Sequence, residues 1–314
     1  MKLAFAGTPS FAVPALEALR RAGHEIRAVF TQADRPAGRG REPQASPVKL
    51  RALELALRVH QPTSFKSAEA LDLLRDADVD AFIVVAYGLI LPTAALGLPR
   101  LGCLNIHASL LPRWRGAAPI QRAILAGDAV TGVSIMHLEP GLDTGPVFAT
   151  QSVPIGARDT AQSLGERLAM LGANMIGDTL TGLALGTAVA TPQLTQGVSY
   201  AAKLGKVEAT IDWRADAVQI ERQVRAFNPW PIAQTFYNGE PLRLWEAALV
   251  SELEADNSAQ AAPGTIIGTD HGIDVACGRG ALRINKLQRP GRKVIDARSF
   301  LNATALTGAR FGAP

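Results

Sequence analysis

The chain has 314 residues, 47% of them hydrophobic and 19% charged, with a formal charge of +4 and a pI near 9.3. That length suits two domains of ordinary size, each with its own core, and the composition excludes disordered and fibrous classes. No run of eighteen apolar residues occurs, so no membrane span is expected.

The opening MKLAFAGTPSF reads directly as a strand, without a signal-peptide layout. SFAVPALEALRRAG (10–23) has helical spacing and stops at Gly23, and EIRAVFT (25–31) is the next strand. SPVKLRALELALR (46–58) reads as a helix, with Ser46 as N-cap and Pro47 at the first helical position. DAFIVVAYG (80–88) and LGCLNIH (101–107) are further strands, and GAAPIQRAILAG (116–127) is a helix. TGVSIMHLE and GPVFATQSVPI are later strands, and a long helix lies within 159–184. Strands alternating with helices imply an α/β class: a Rossmann-like, mainly parallel sheet covered on both faces. FAGTP is no G-x-G-x-x-G fingerprint, so a dinucleotide is not implied.

GTAVATPQLTQGVSYAAKLGK (186–206) is small, polar and weakly periodic and reads as a connection. DAVQIERQVRAF is helical, and then the pattern changes. AQTFYNGEPLRLWEAALV and GTIIGTDHGIDVACGRGALRINKLQ are apolar runs broken by NG, HG and GRG turns. Such turns predict hairpins and a small OB-like β-barrel. The division expected is a catalytic domain over 1–188, a linker over 189–206 and a barrel domain over 207–314. The two cysteines, Cys103 and Cys277, fall in different domains and match neither a disulfide framework nor a zinc spacing. A reducing cytoplasm is the expected location.

Asn105 and His107 lie two apart in CLNIH, so on a strand they share a face. They stand at the C-terminal end of a parallel strand, where open α/β sheets bind ligands. A buried polar pair left without partners costs roughly 1–3 kcal/mol per group, so the two either satisfy one another structurally or face a substrate. SLLP follows, a turn expected to leave backbone groups free, and GLDTGP (141–146) offers Asp143 between glycines. Taken alone, Asp143 reads sooner as a turn aspartate; beside His107 it could orient and charge-stabilise the ring. No serine sits in a G-x-S-x-G elbow, and Cys103 lies on a buried-looking strand. An amide, an imidazole and a carboxylate without a nucleophile suit direct transfer to an incoming amine, with Asn105 and His107 donating to a developing oxyanion.

FAGTPSFA (5–12), FTQADRPAGRGR (30–41), SPVK (46–49), VVAYGLILP (84–92), NIHASLLPRWRGAAPIQ with GLDTGP, IDW (211–213) and FNPWP (227–231) span nearly the whole chain. Together they resemble the folate-dependent formyltransferases. The resemblance implies 10-formyltetrahydrofolate as formyl donor and the α-amino group of methionyl initiator tRNA as acceptor; no metal set is visible in the sequence, and no membrane partner and a monomer are expected. Position by position, Asn105, His107 and Asp143 match the catalytic trio, and Ser109, Leu110, Leu111 and Pro112 match the folate-binding turn. Tyr87, Gly88, Leu89 and Ile90 are expected to line the pterin pocket. The implied mechanism has Asn105 and protonated His107 holding the oxyanion, with Asp143 holding the ring.

By composition the loop DRPAGRGRE (34–42), which carries a net +1, reads as a solvated surface loop; the resemblance implies that it meets the acceptor end of the tRNA, where Arg39 is the expected contact, supported by Arg35 and Arg41. Arginine suits this because its planar fork grips phosphate and stacks on bases. Residues 279–298 hold Arg279, Arg283, Lys286, Arg289, Arg292, Lys293 and Arg298 against Asp296, a net +6. Such a run is a solvated face or a phosphate-tracking surface, and Arg292 and Lys293 are the expected contacts. Formyltransferases acting on glycinamide ribonucleotide are shorter and lack a second domain like this one, while those acting on nucleotide-linked amino sugars, and formyltetrahydrofolate hydrolases, are not expected to carry this loop with this basic tail. A non-catalytic RNA-binding protein is the alternative from a different class.

Overall fold

The computed structural model describes residues 1–37, 42–251, 261–306 and 309–312. Two compact units emerge: residues 1–119, 130–154 and 165–202 in one, and residues 120–129, 155–164 and 203–314 in the other.

The chain opens with β1 (Lys2–Gly7), a 3-10 turn over Ser10–Ala12, α1 (Val13–Arg21) and β2 (Glu25–Phe30). A hairpin of β3 (Arg35–Ala37) and β4 (Glu42–Gln44) precedes α2 (Pro47–Glu54). As expected, Ser46 caps α2, its hydroxyl accepting from the Lys49 amide at 3.2 Å. Next come β5 (Val59–His60), α3 (Ala68–Asp76), β6 (Ala81–Val85), α4 (Thr93–Leu96), β7 (Cys103–His107), β8 (Arg115–Gly116) and α5 (Pro119–Ala126). They are followed by β9 (Val130–His137), β10 (Val147–Pro154), α6 (Ala161–Leu185) and β11 (Tyr200–Ala201).

Seven strands make one sheet in the order β10-β9-β7-β6-β1-β2-β5. The five from β7 to β5 run parallel; β9 opposes β7, and β10 opposes β9. The apolar runs are explained by burial on both faces. Ala4, Ala6, Phe82, Val84 and Cys103 pack with Phe65, Ala70 and Leu74 on one side. Leu3, Phe5, Ile83, Leu104 and Ile106, of opposite parity, are buried on the other. There α6 comes close: a Cβ on its Gly172 would lie 2.4 Å from Ile106. Length and hydropathy alone would let α6 cross a membrane, but here Leu168, Ile176 and Leu180 are fully buried at helical spacing. By register Asn105 pairs with Val84, so Cys103, Asn105 and His107 share one face and His107 ends the strand.

The stretch read as a connection carries structure of its own. Thr191 bridges to Val147, and β11 pairs in parallel with β8, both inside the first unit.

In the second unit, α7 (Ala217–Ala226) is capped by the Asp216 side chain. Then follow β12 (Gln234–Tyr237), β13 (Glu240–Leu249), β14 (Ile266–Gly268), β15 (Ile273–Ala276), β16 (Ala281–Gln288), β17 (Ile295–Asp296) and α8 (Ala297–Asn302). The NG turn is a two-residue hairpin loop: Asn238 and Gly239 take φ of 52° and 77° between β12 and β13. The antiparallel order is β12-β13-β16-β15-β14, with β17 on β16. The curl follows from the chain end: Gly312 bridges Phe236 on edge strand β12, and Arg310 bridges Thr265 beside edge strand β14. Ile220 and Val224 of α7 share the enclosed core with Leu242, Leu244, Ile273 and Val275.

Candidate active site

The three residues singled out from sequence meet. Asp143 Oδ1 accepts from Asn105 Nδ2 at 3.4 Å, and Oδ2 lies 3.7 Å from His107 Nδ1. Asn105 and His107 are buried, at 8% and 5% exposure, and the Asp143 side chain is 13% exposed. His107 Nε2 lies 2.9 Å from the Trp114 carbonyl oxygen, so that nitrogen carries the hydrogen and donates. Both ring nitrogens thus face protein groups. Direct donation to a substrate oxygen requires one of them to exchange its partner, a condition absent from the sequence-based mechanism.

Backbone geometry around the trio is unusual. Asp143 and Trp114 take φ of 53° and 63°, a left-handed conformation with few natural tenants. Gly116, at φ 114°, donates its amide to Asp143 Oδ2 at 2.8 Å. A Cβ there would meet the Ala201 carbonyl oxygen at 2.9 Å, so glycine is required by both torsion and space.

The Ser-Leu-Leu-Pro turn differs from expectation in one respect: its backbone is engaged. The Leu111 amide donates to Ser134 Oγ at 3.1 Å, and that hydroxyl donates to the Ser109 carbonyl at 2.7 Å. Ser109 is fully buried, its hydroxyl donating to the Arg113 carbonyl at 2.6 Å. Leu110 is partly buried. Leu111 and Pro112 line a cavity of about 270 Å³ with Val147, Phe148, Thr191 and Gln193.

Of the next segment, Tyr87 turns inward. It is 2% exposed and packs edge-on against Phe65 at 5.9 Å, and burial pushes its hydroxyl pKa up. Gly88 is exposed, Leu89 packs partly against the core, and Ile90 stands 83% exposed. Cys103 is fully buried, and burial pushes its thiol up to about 12, away from the reactive thiolate.

Arg35 is exposed and bonds Gln32; Arg39 and Arg41 lie outside the described residues. Asp34, at the start of the loop, accepts from Lys49 Nζ of α2 at 2.6 Å, with Gln61 bridging both side chains. Lys49 and Gln61 together hold the Asp34 carboxyl below its usual range. Arg292 and Lys293 are exposed in the β16–β17 turn. Among the described residues, no group of three His, Cys, Asp or Glu side chains could hold a metal ion.

Sequence reasoning missed what surrounds the trio: the Trp114 carbonyl, the Gly116 amide, and Gln193, whose amide donates to the Asp143 and Gly145 carbonyl oxygens, both at 2.8 Å. Backbone groups carry no sequence signal, and Gln193 sits fifty positions from Asp143 in a polar stretch.

A doubly wound sheet with an amide, an imidazole and a carboxylate converging at the end of a parallel strand suits a group-transferring enzyme. The chain belongs to the formyl transferase family: residues 1–180 match the formyl transferase domain and residues 203–305 its C-terminal domain. It is 54% identical over 312 residues to the methionyl-tRNA formyltransferase of Methylococcus capsulatus, covering 99% of this chain and 100% of that protein. It is 55% identical over 305 residues to the methionyl-tRNA formyltransferase of Stenotrophomonas maltophilia, covering 96% and 97%. Among solved structures it resembles HypX from Aquifex aeolicus in complex with tetrahydrofolic acid, with a TM-score of 0.65 at 18% identity. That likeness covers 96% of this chain but 47% of HypX, so this chain spans about half of HypX.

Proposed function

We propose that the chain transfers the formyl group of 10-formyltetrahydrofolate to the α-amino group of methionyl initiator tRNA. One observation carries the acceptor: the 54% identity, over essentially the whole of both chains, to a protein with that activity in its name. The chemistry rests on the convergence at Asp143.

The neutral methionyl amine attacks the formyl carbon. As the tetrahedral intermediate collapses, the bond from that carbon to N10 breaks and the proton lost by the amine ends on N10. Asn105 Nδ2 has two hydrogens; one is held by Asp143, and the other serves the oxyanion. His107 reaches the same oxygen by exchanging the Trp114 carbonyl for it, and Asp143 keeps the ring in place. Leu111 and Pro112 contribute to the folate site, with Ile90 and Gly88 on its pterin side. The loop arginines Arg35, Arg39 and Arg41 hold the acceptor end, and Arg292 and Lys293 bind tRNA phosphates. Residues 1–188 act as the folate-binding catalytic part, 189–206 as the connection, and 207–314 as the part contributing to tRNA binding. The protein works as a monomer in the cytoplasm.

The test is an assay of formyl transfer from 10-formyltetrahydrofolate to methionyl initiator tRNA, to glycinamide ribonucleotide and to a nucleotide-linked amino sugar. Transfer to the tRNA alone is expected. Preference for either small acceptor would overturn the acceptor assignment while leaving the chemistry standing.

A further inference from the structure

The geometry points to Gln193 as a positioning residue for formyl transfer, setting Asp143 against His107 and Asn105; this rests on the roles proposed for that trio. Gln193 belongs to a strap, residues 191–201, tied to both sides of the site. At one end Thr191 pairs with Val147, just past the Asp143 loop. At the other, Ser199 Oγ accepts the Trp114 amide at 3.0 Å and the Ser199 carbonyl accepts the Arg115 amide at 2.9 Å. The strap therefore fixes the peptide whose carbonyl receives His107 and, through Gln193, the loop that carries Asp143.

The Gln193 amide faces two ways. Its Oε1 accepts from Arg115 Nε at 3.0 Å and Nη2 at 2.8 Å, a two-pronged grip by a side chain only 9% exposed. Its Nε2 spends both hydrogens, on the Asp143 and Gly145 carbonyl oxygens. A charge-assisted bond at the amide oxygen polarises the group and strengthens donation from its nitrogen. The loop needs such an anchor. Asp143 holds a φ of 53°, and a Cβ on Gly145 would meet the His137 carbonyl oxygen at 1.9 Å, so the loop lies hard against β9 with little room to adjust. With the Asp143 main chain pinned by Gln193 and its Oδ2 by Gly116, the carboxylate has one orientation left, with an oxygen toward each partner.

The test uses the full chain in four forms: wild type, Gln193→Glu, Asp143→Asn and the double variant. Glutamate at 193 still accepts from Arg115, now as an ion pair, but cannot donate to either carbonyl. If Gln193 merely anchored Arg115 for folding, Q193E would keep both its melting temperature and its kcat. As a positioning residue it lowers kcat by about 10- to 100-fold, the scale of a displaced reacting group, with KM for folate and tRNA unchanged. The double variant is then no slower than Asp143→Asn alone, since both act through one carboxylate. Gln193→Met, neutral and of similar length, gives the same kcat loss should Q193E melt early. Wild-type kcat in Q193E or Q193M beside a crippled Asp143→Asn overturns this inference alone. Wild-type kcat in Asp143→Asn overturns the reading of the trio, and this inference with it.

Discussion

Asp143 divides its carboxylate between two neighbours: Oδ1 receives Asn105 Nδ2 at 3.4 Å, while Oδ2 faces Nδ1 of His107 at 3.7 Å. The longer gap has a structural reason, since Oδ2 already accepts the Gly116 amide at 2.8 Å. Asn105 is thereby aimed, not merely buried. Replacing it with alanine removes the donor and leaves the carboxylate and the ring where they are. The rate should fall by roughly 100- to 1000-fold, equivalent to about 2.7–4 kcal/mol of oxyanion stabilisation. Single-turnover formyl transfer measures this, with folate binding unchanged as the control. A loss below tenfold in a folded variant removes Asn105 from the oxyanion.

Gly116 is the next point of leverage. Its amide fixes Asp143 Oδ2, its φ is 114°, and a Cβ would sit 2.9 Å from the Ala201 carbonyl oxygen. Gly116→Ala must either strain that torsion or push β8 from β11, and either movement drags the amide off the carboxylate. The expected result is a melting temperature lower by several degrees, from about 1–3 kcal/mol of backbone strain, together with a loss of kcat. Differential scanning calorimetry and steady-state kinetics read the two effects; a variant unchanged in both would show that the amide has no hold on Asp143.

These contacts mark where sequence reading reached and where it stopped. Period-2 spacing put Asn105 and His107 on one face, and they share it, because strand geometry is local. Ser46 and the Asn238–Gly239 turn were legible for the same reason. Asp143 was a candidate from its glycine-flanked turn, and resemblance singled it out: nothing near GLDTGP says that its carboxylate spans to a strand 38 positions earlier. Tyr87 shows the limit of a motif. A segment expected to line a pocket alternates in its facing, and its aromatic ring goes into the core against Phe65. The strap at 191–201 was read as a connection because it lacks periodicity, yet its bonds run to residues of other segments and need none. The barrel was legible from its turns, but its closure by residues 310–312 was not, since single bridges leave no pattern.

Glu208 provides a pH test of stability. Its carboxylate takes Arg122 Nη1 and Nη2 at 2.7 and 3.2 Å and the Gly205 amide at 2.7 Å. Arg122 first, then that amide, hold its pKa below the ordinary 4.5. A carboxyl depressed in the folded state stabilises the fold fully above its unfolded pKa, and the contribution disappears as pH falls through the folded value. Glu208→Gln should therefore melt below wild type near neutrality, and the difference should shrink on acidification below about pH 5. Thermal melts at stepped pH decide it; a gap that stays constant down to pH 3 would mean the ion pair does not govern the titration.

The basic run of the second unit is less exposed as charge than its sequence implies. Arg279 pairs with Asp216, Arg283 with Asp274 at 2.7 Å, and Lys286 with Glu246 at 2.6 Å, all acids from outside the run. Arg289 lies over the Phe300 ring at 4.8 Å. Acids outside the run thus answer three of the +6 counted along the chain, and Arg292 and Lys293 stand exposed in the β16–β17 turn. Each phosphate contact releases counterions and adds roughly 0.7–0.9 to the slope of log affinity against log salt. Replacing Arg292 and Lys293 with alanine should flatten that slope for tRNA by about 1.4–1.8. Lys286→Ala, which removes a cation already paired, should leave the slope nearly as it was. Filter binding of initiator tRNA across a salt series separates the two variants. Equal slopes in wild type and the double variant would mean that neither side chain meets a phosphate.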